Sequence, residues 1–357
     1  MKIRNITSFF LVLILSVAFS SCDSGGSKSE FEILRAQIAK VIASSSFYKF
    51  TTADAVGKAD DTTGAFLYDN TTDYQIIDVR GSADYIAARV PNADNISWSA
   101  IADDESLLES GKEIIIYCKT SNTGGFATAL LNILGYNAKN MKWAMMGYNS
   151  TTVSNAFTTL DAAVSTDAEV SSKFSLPTVN SGKSSAAEIA KYQYTNKAAI
   201  SGRFITNADV KLIVDAQNGT LGDGNVVLST TASVDPDSYQ IVSVRAADWY
   251  AGTGSYTDGS DVTHTNQGGH ISGAVNIPTS EIANTTYLQK LDPSKKQIVY
   301  CYTGHTGAMA AAVFNMLGYD AINMKFGMAA WTSASDVNKN YTFDGAKGHV
   351  IEGTSAP

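Results

Sequence analysis

Two apolar patterns alternate along this chain. Short apolar runs appear at YQIIDVR (74–80), EIIIYC (113–118), YQIVSVR (239–245) and QIVYC (297–301), continuous in the second and fourth. Runs this short, rich in β-branched residues, read as strands buried on both faces. Shorter strands are predicted at VPNADNIS from Val90, HISGAVNIP from His270, AKNMK (138–142) and AINMK (321–325). Between them the spacing turns helical over Phe31–Ser44, Thr52–Ala59, Ala186–Tyr194 and Asn207–Asp215, with an Asp or Asn near the start of the second and fourth as a capping signal. Further helical patches are SADYIAAR (82–89), AADWYAG (246–252) and the stretches leading to each LGY. Strands alternating with helices predict an α/β fold with a central parallel sheet flanked by helices.

The same order of elements occurs twice. At an offset of 183, positions 116–148 and 299–331 agree at 16 of 33 places without a gap, which marks a duplicated structural unit. The Ser/Pro/Gly-containing stretch 171–185 divides the halves, so residues 31–170 and 186–357 are expected to be two domains joined by that linker. The second half also carries an insertion, Gly252–Gly269, whose Gly, Ser, Thr and Asp content suggests a solvated excursion or a cover over the site.

Residues 1–22 stand apart. Lys2 and Arg4 precede an apolar run, Phe9–Phe19, followed by Ser20, Ser21 and Cys22, the layout of an export signal. A Cys directly after a small pair resembles a bacterial lipoprotein signal, which implies lipidation of Cys22, a tether over 23–30 and a place at the cell envelope, facing the periplasm or the surface, anchored without a spanning helix. An ordinary signal peptide cut nearby is the alternative. Net charge −8 leaves no basic stripe for nucleic acid.

Two further cysteines remain, Cys118 and Cys301, at the same place in each repeat. Each opens a six-residue loop between a strand and a helix, CKTSNT (118–123) and CYTGHT (301–306). A helix amino end presents unpaired backbone N–H groups and partial positive charge, which would hold a thiolate, a persulfide or an oxyanion. Gly124, Gly304 and Gly307 are expected to allow tight bending, and Thr123 and Thr306 to cap the helices and offer hydroxyls to the pocket. The other readings are a disulfide between facing loops, or two small buried hydrophobes. No histidine or cysteine spacing suggests a metal, and no cofactor is implied. A cysteine phosphatase would need an Arg where Gly124 and Gly307 stand.

Both halves resemble the rhodanese (sulfurtransferase) domain. The resemblance rests on the strand with Asp78 and Arg80, the turn GHISGAVNIP, the loop CYTGHT, the LGY segments and the closing GMAAW. It implies two tandem rhodanese-like domains, with Cys301 as principal and Cys118 as secondary nucleophile. The persulfide-binding loops would be Tyr302, Thr303, Gly304, His305, Thr306 and Gly307, with Lys119, Thr120, Ser121, Asn122, Thr123 and Gly124 in the first domain. Asp78, Arg80 and Arg245 would support them from below, and Ser243 stands where the strand motif has Asp. The implied partners are a small sulfur donor and a thiol or cyanide acceptor. Neutral Tyr302 and Thr303 depart from the basic residues of thiosulfate-using members. The alternative is a catalytically weak or inactive rhodanese-fold lipoprotein that binds an anion or sulfur, or serves as a scaffold.

Overall fold

The computed structural model describes residues 28–44, 47–57, 68, 70–109, 111–149, 153, 155–197, 204–222, 224–257, 260–334, 343 and 345–353. Cys22 and the expected export signal lie outside the described residues. In the first half the elements are α1 (Glu30–Ala43), β1 (Phe50–Thr52), α2 (Ala53–Gly57), β2 (Tyr74–Asp78), α3 (Ser82–Ala87), β3 (Asp94–Asn95), α4 (Ala100–Asp103), β4 (Glu113–Tyr117), α5 (Asn122–Leu134), β5 (Ala138–Lys142) and α6 (Ala144–Tyr148). The second half begins with α7 (Ala186–Lys197), β6 (Phe204–Ile205), α8 (Asn207–Gln217), β7 (Val226–Val227) and β8 (Ser233–Val234). It continues through β9 (Tyr239–Ser243), α9 (Ala247–Ala251), β10 (Gly254–Thr257), β11 (Thr263–Gln267) and β12 (Val275–Asn276). It closes with α10 (Thr285–Leu288), β13 (Lys296–Tyr300), α11 (His305–Met316), β14 (Asp320–Met324) and α12 (Gly327–Trp331).

Each half builds a five-stranded, wholly parallel sheet. The orders are β1–β5–β4–β2–β3 and β6–β14–β13–β9–β12, the same topology twice. The central strands β4 and β13 are buried along Ile114–Tyr117 and Gln297–Tyr300, as their continuous apolar runs require. Both cysteines follow these strands directly, so both loops lie at the carboxyl edge of a parallel sheet, where open α/β folds place their ligands. Within the insertion 252–269, β10 and β11 pair antiparallel and are mostly exposed, so the solvated excursion carries a ladder of its own.

The halves are joined through their loop helices. α5 packs on α11 so closely that a Cβ on Gly125 would stand 2.8 Å from the Cβ of Ala308. One hydrophobic core runs from the first sheet through this contact into one face of the second, and a smaller core fills the second sheet's other face. The trailing segments are exchanged. Residues 160–170, counted by sequence with the first half, lie along the second: Leu160 and Ala162 donate to Ala330 and Trp331, Ser165 pairs with His270, and Glu169 binds Lys290 at 2.8 Å. Residues 347–352, from the second half, lie along the first: Lys347 and His349 donate to Gly147 and Tyr148, and Arg89 pairs with Glu352.

Candidate active site

The two cysteine loops are built alike. Cys118 and Cys301 are 5% and 4% exposed. The carbonyls of Cys118 and Lys119 accept from Met145 and Met146, and those of Cys301 and Tyr302 from Met328 and Ala329. The closing helices α6 and α12 therefore clamp the loop backbones, which accounts for the repetition of those segments. Asn140 Nδ2 donates to the Ser121 carbonyl at 3.0 Å, and its twin Asn323 Nδ2 to that of Gly304 at 2.9 Å.

Three expectations about the loop need correction. The helix caps are Ser121 (φ 75°) and Gly304 (φ 80°), both left-handed, with no side-chain cap; Thr123 and Thr306 lie one position inside the helices that begin at Asn122 and His305. At Gly304 a Cβ would also stand 2.8 Å from the Phe326 nitrogen, so glycine is required twice over there. Gly124 and Gly307 make no bend. They give room, since a Cβ at either would reach 2.8 Å or 2.5 Å from the Asn140 or Asn323 Oδ1. Finally, neither thiol is poised as an anion. Burial pushes both above the ordinary thiol value, and it outweighs the N–H groups of Gly124, Thr120, Ser121 and Thr123 around Cys118 and their equivalents around Cys301. At Cys301 the Gly307 N–H lies 3.2 Å from Sγ.

The loops differ in what surrounds them. A cavity of about 480 Å³ opens at Cys118, between the halves. Its wall combines Arg80, Asp84, Trp98, Lys119 and Thr123 of the first half with Phe204 and Lys325 of the second. Lys119 is tied to Asp84 at 3.0 Å, on the exposed rim. Lys325 lies over the rings of Phe204 and Phe326, at 5.5 and 4.9 Å, and has no carboxylate partner among the described residues. Burial pushes its ammonium below the usual lysine value, and a negative charge on Cys118 would push it back up. A cation from one domain thus faces the thiol of the other.

Around Cys301 the corresponding positions are filled by aromatic rings. Where Asp84 and Lys119 pair in the first half, Trp249 and Tyr302 meet edge to face at 5.7 Å, and Tyr256 of the inserted hairpin stacks on Trp249 at 6.1 Å. His305, the twin of Asn122, is buried against Trp143 of the first half; its Nε2 accepts the Trp143 N–H at 3.3 Å and its Nδ1 shares a proton with Thr303 Oγ1 at 3.1 Å. His305 is thereby packed into the interface between the halves.

Beneath the loops, Arg80 binds both oxygens of buried Asp78 and the Ala88 carbonyl. Arg245 is 2% exposed, donates to the Gly269 carbonyl at 2.5 Å and lies 4.3 Å over the Tyr302 ring. Sequence reasoning missed Phe204, Trp98, Asp84 and Lys325 as parts of the Cys118 site. A signal existed for the lysine: NMK closes the short strand in both repeats, so a cation is duplicated at Lys142 and Lys325.

Comparison with known proteins follows from this geometry. The rhodanese-like domain family matches residues 66–151 and 230–334, more than half of the chain. Among solved structures, a rhodanese-related protein from Thermoplasma volcanium is 25% identical over 28% of this chain and 90% of its own, with a TM-score of 0.24. A thiosulfate sulfurtransferase from Pseudomonas aeruginosa is 11% identical over 91% of this chain and 50% of its own, with a TM-score of 0.28. A rhodanese-like domain protein from Staphylococcus aureus is 22% identical over 27% of this chain and 87% of its own, with a TM-score of 0.23. A search among curated proteins found no match.

Proposed function

This chain belongs to the rhodanese-like domain family, of which it holds two copies in tandem, and from that premise we propose that it is a sulfurtransferase whose working nucleophile is Cys118. The observation that carries the assignment is the cavity of about 480 Å³ at Cys118, with a cation of the second domain in its wall. The sequence alone weights Cys301, but around that thiol Trp249 and Tyr302 stand where the first half has Asp84 and Lys119, and His305 is packed against Trp143. The second domain serves the first as a wall and a source of charge.

The reaction starts from a protonated thiol, because burial holds Cys118 in that form. The donor anion RSS⁻ takes the thiol's proton to become RSSH, and the Sγ thiolate so formed attacks its terminal sulfur. The S–S bond of the donor breaks, a bond from Sγ to that sulfur forms, and the thiol's proton leaves with the released group as RSH. The resulting persulfide anion rests among the N–H groups of Thr120, Ser121, Thr123 and Gly124, with Lys325 opposite. Cyanide or a thiolate then takes the outer sulfur and leaves the Cys118 thiolate, which regains a proton from water. A cavity this large, walled by Trp98 and Phe204, suits an organic donor with an apolar body better than thiosulfate.

The test is a donor panel of thiosulfate, mercaptopyruvate and glutathione persulfide, assayed by thiocyanate formation in Cys118→Ser and Cys301→Ser. Cys118→Ser is expected to abolish turnover and the persulfide adduct on its own loop peptide, with Cys301→Ser retaining most activity. Full activity in Cys118→Ser would overturn the assignment. We also propose that the protein works at the bacterial cell envelope, lipid-anchored through Cys22. The mass of the mature N-terminus tests this, and an unmodified, freely soluble product refutes it.

A further inference from the structure

The duplication supplies its own control for a buried charge. In the first domain, Asp78 Oδ1 accepts from the Arg80 backbone N–H and from Nε, both at 2.9 Å, and Oδ2 accepts from Nη2 at 2.5 Å. In the second domain the carboxylate is replaced by Ser243, itself fully buried. Its hydroxyl accepts from the Arg245 backbone N–H, lengthened to 3.4 Å, and also hydrogen-bonds the Tyr300 side chain. The two guanidinium nitrogens left without an acceptor are Nε and Nη2, the same two that hold the carboxylate in the twin. Nη1 is engaged with Gly269. A buried cation without a counter-charge costs several kcal/mol, and the Tyr302 ring 4.3 Å away supplies only part of a compensation.

Among the described residues no carboxylate fills the place. Glu169 of the exchanged segment is held by Lys290 at 2.8 Å and the Asn276 N–H at 3.2 Å, and Asp167 by Ser165 at 3.0 Å. The Asp-to-Ser difference removes roughly the bulk of one carboxylate head, comparable to the ~30 Å³ share of a water molecule. We propose that Arg245 Nε and Nη2, with the Ser243 hydroxyl, form a buried site for a small monovalent anion of chloride size, which takes the place of the missing carboxylate. Because the guanidinium lies over Tyr302, the residue after Cys301, occupancy of this site fixes the floor of the second loop.

The test uses the full chain at constant ionic strength, with gluconate, too large to enter, exchanged for chloride or bromide, and formate as a small carboxylate. For the wild type, chloride, bromide and formate are expected to raise the melting temperature saturably, by about 4 °C. Ser243→Asp restores the twin's carboxylate and is expected to abolish that response. A bromide-soaked crystal is expected to show an anomalous peak within hydrogen-bonding reach of Arg245 Nε and Nη2; this reads the wild type even where the variant fails to fold. Equal melting in gluconate and chloride, a full chloride response in Ser243→Asp, or no bromide at Arg245 each overturns the proposal and leaves a water molecule as the occupant.

Discussion

Acid should act on this molecule through His305. The imidazole is buried, accepts the Trp143 N–H through Nε2, and so carries its proton on Nδ1, toward Thr303 Oγ1. A second proton would turn Nε2 from acceptor to donor, opposite an N–H, in a desolvated place that also feels Lys142. Burial, with the Lys142 charge adding to it, holds the imidazole down to about 3, against 6.5 for an ordinary histidine. A depressed value means that the neutral ring's contribution is fully present above pH 6.5 and is lost as pH falls toward 3. At 1.36 kcal/mol per unit, two units below the ordinary value remove about 2–3 kcal/mol, or roughly 4 °C of melting temperature in a chain this size. The perturbation is His305→Asn, which installs the residue the first domain carries as Asn122. The assay is calorimetric melting of both proteins between pH 7.5 and 4.5, so that carboxylate titration, common to both, cancels. The variant lacks the ring contact with Trp143 and should melt lower at pH 7.5, but the gap should close as pH falls. A gap that stays constant over that range would refute the argument.

Two further outcomes follow from the Cys118 cavity. Lys325→Met should raise KM for an anionic donor about tenfold while leaving kcat within a few-fold, with Lys325→Arg recovering most of the loss; an unchanged KM removes the second domain from substrate binding. In Cys301→Ser protein, iodoacetamide alkylation of Cys118 should show a midpoint above about 8.5, the free-thiol value, because burial outweighs the loop's N–H donors. A midpoint below that value would show the donors dominating instead.

The duplication, the order of strands and helices, and the position of each cysteine at the carboxyl end of a central strand were all legible in the residues. Continuous apolar runs and strict repetition are local properties, and local physics preserves them through folding. The same holds for Ser243 against Asp78, a difference visible in the two strand motifs. Its meaning was not visible, because an arginine needs a counter-ion only once it is known to be buried. The helix caps lie two residues before Thr123 and Thr306, since a left-handed Ser121 or Gly304 is set by how Asn140 and Asn323 draw the loop inward.

What the sequence determined by itself is a fold used twice and two thiols in equivalent loops. Only the tertiary structure decided what surrounds each thiol. Phe204 and Lys325 reach the Cys118 cavity because α5 packs on α11 and the trailing segments cross over, while the same packing drives His305 against Trp143. Contacts between residues nearly two hundred positions apart depend on the match of two surfaces, and no periodicity within either half encodes that match.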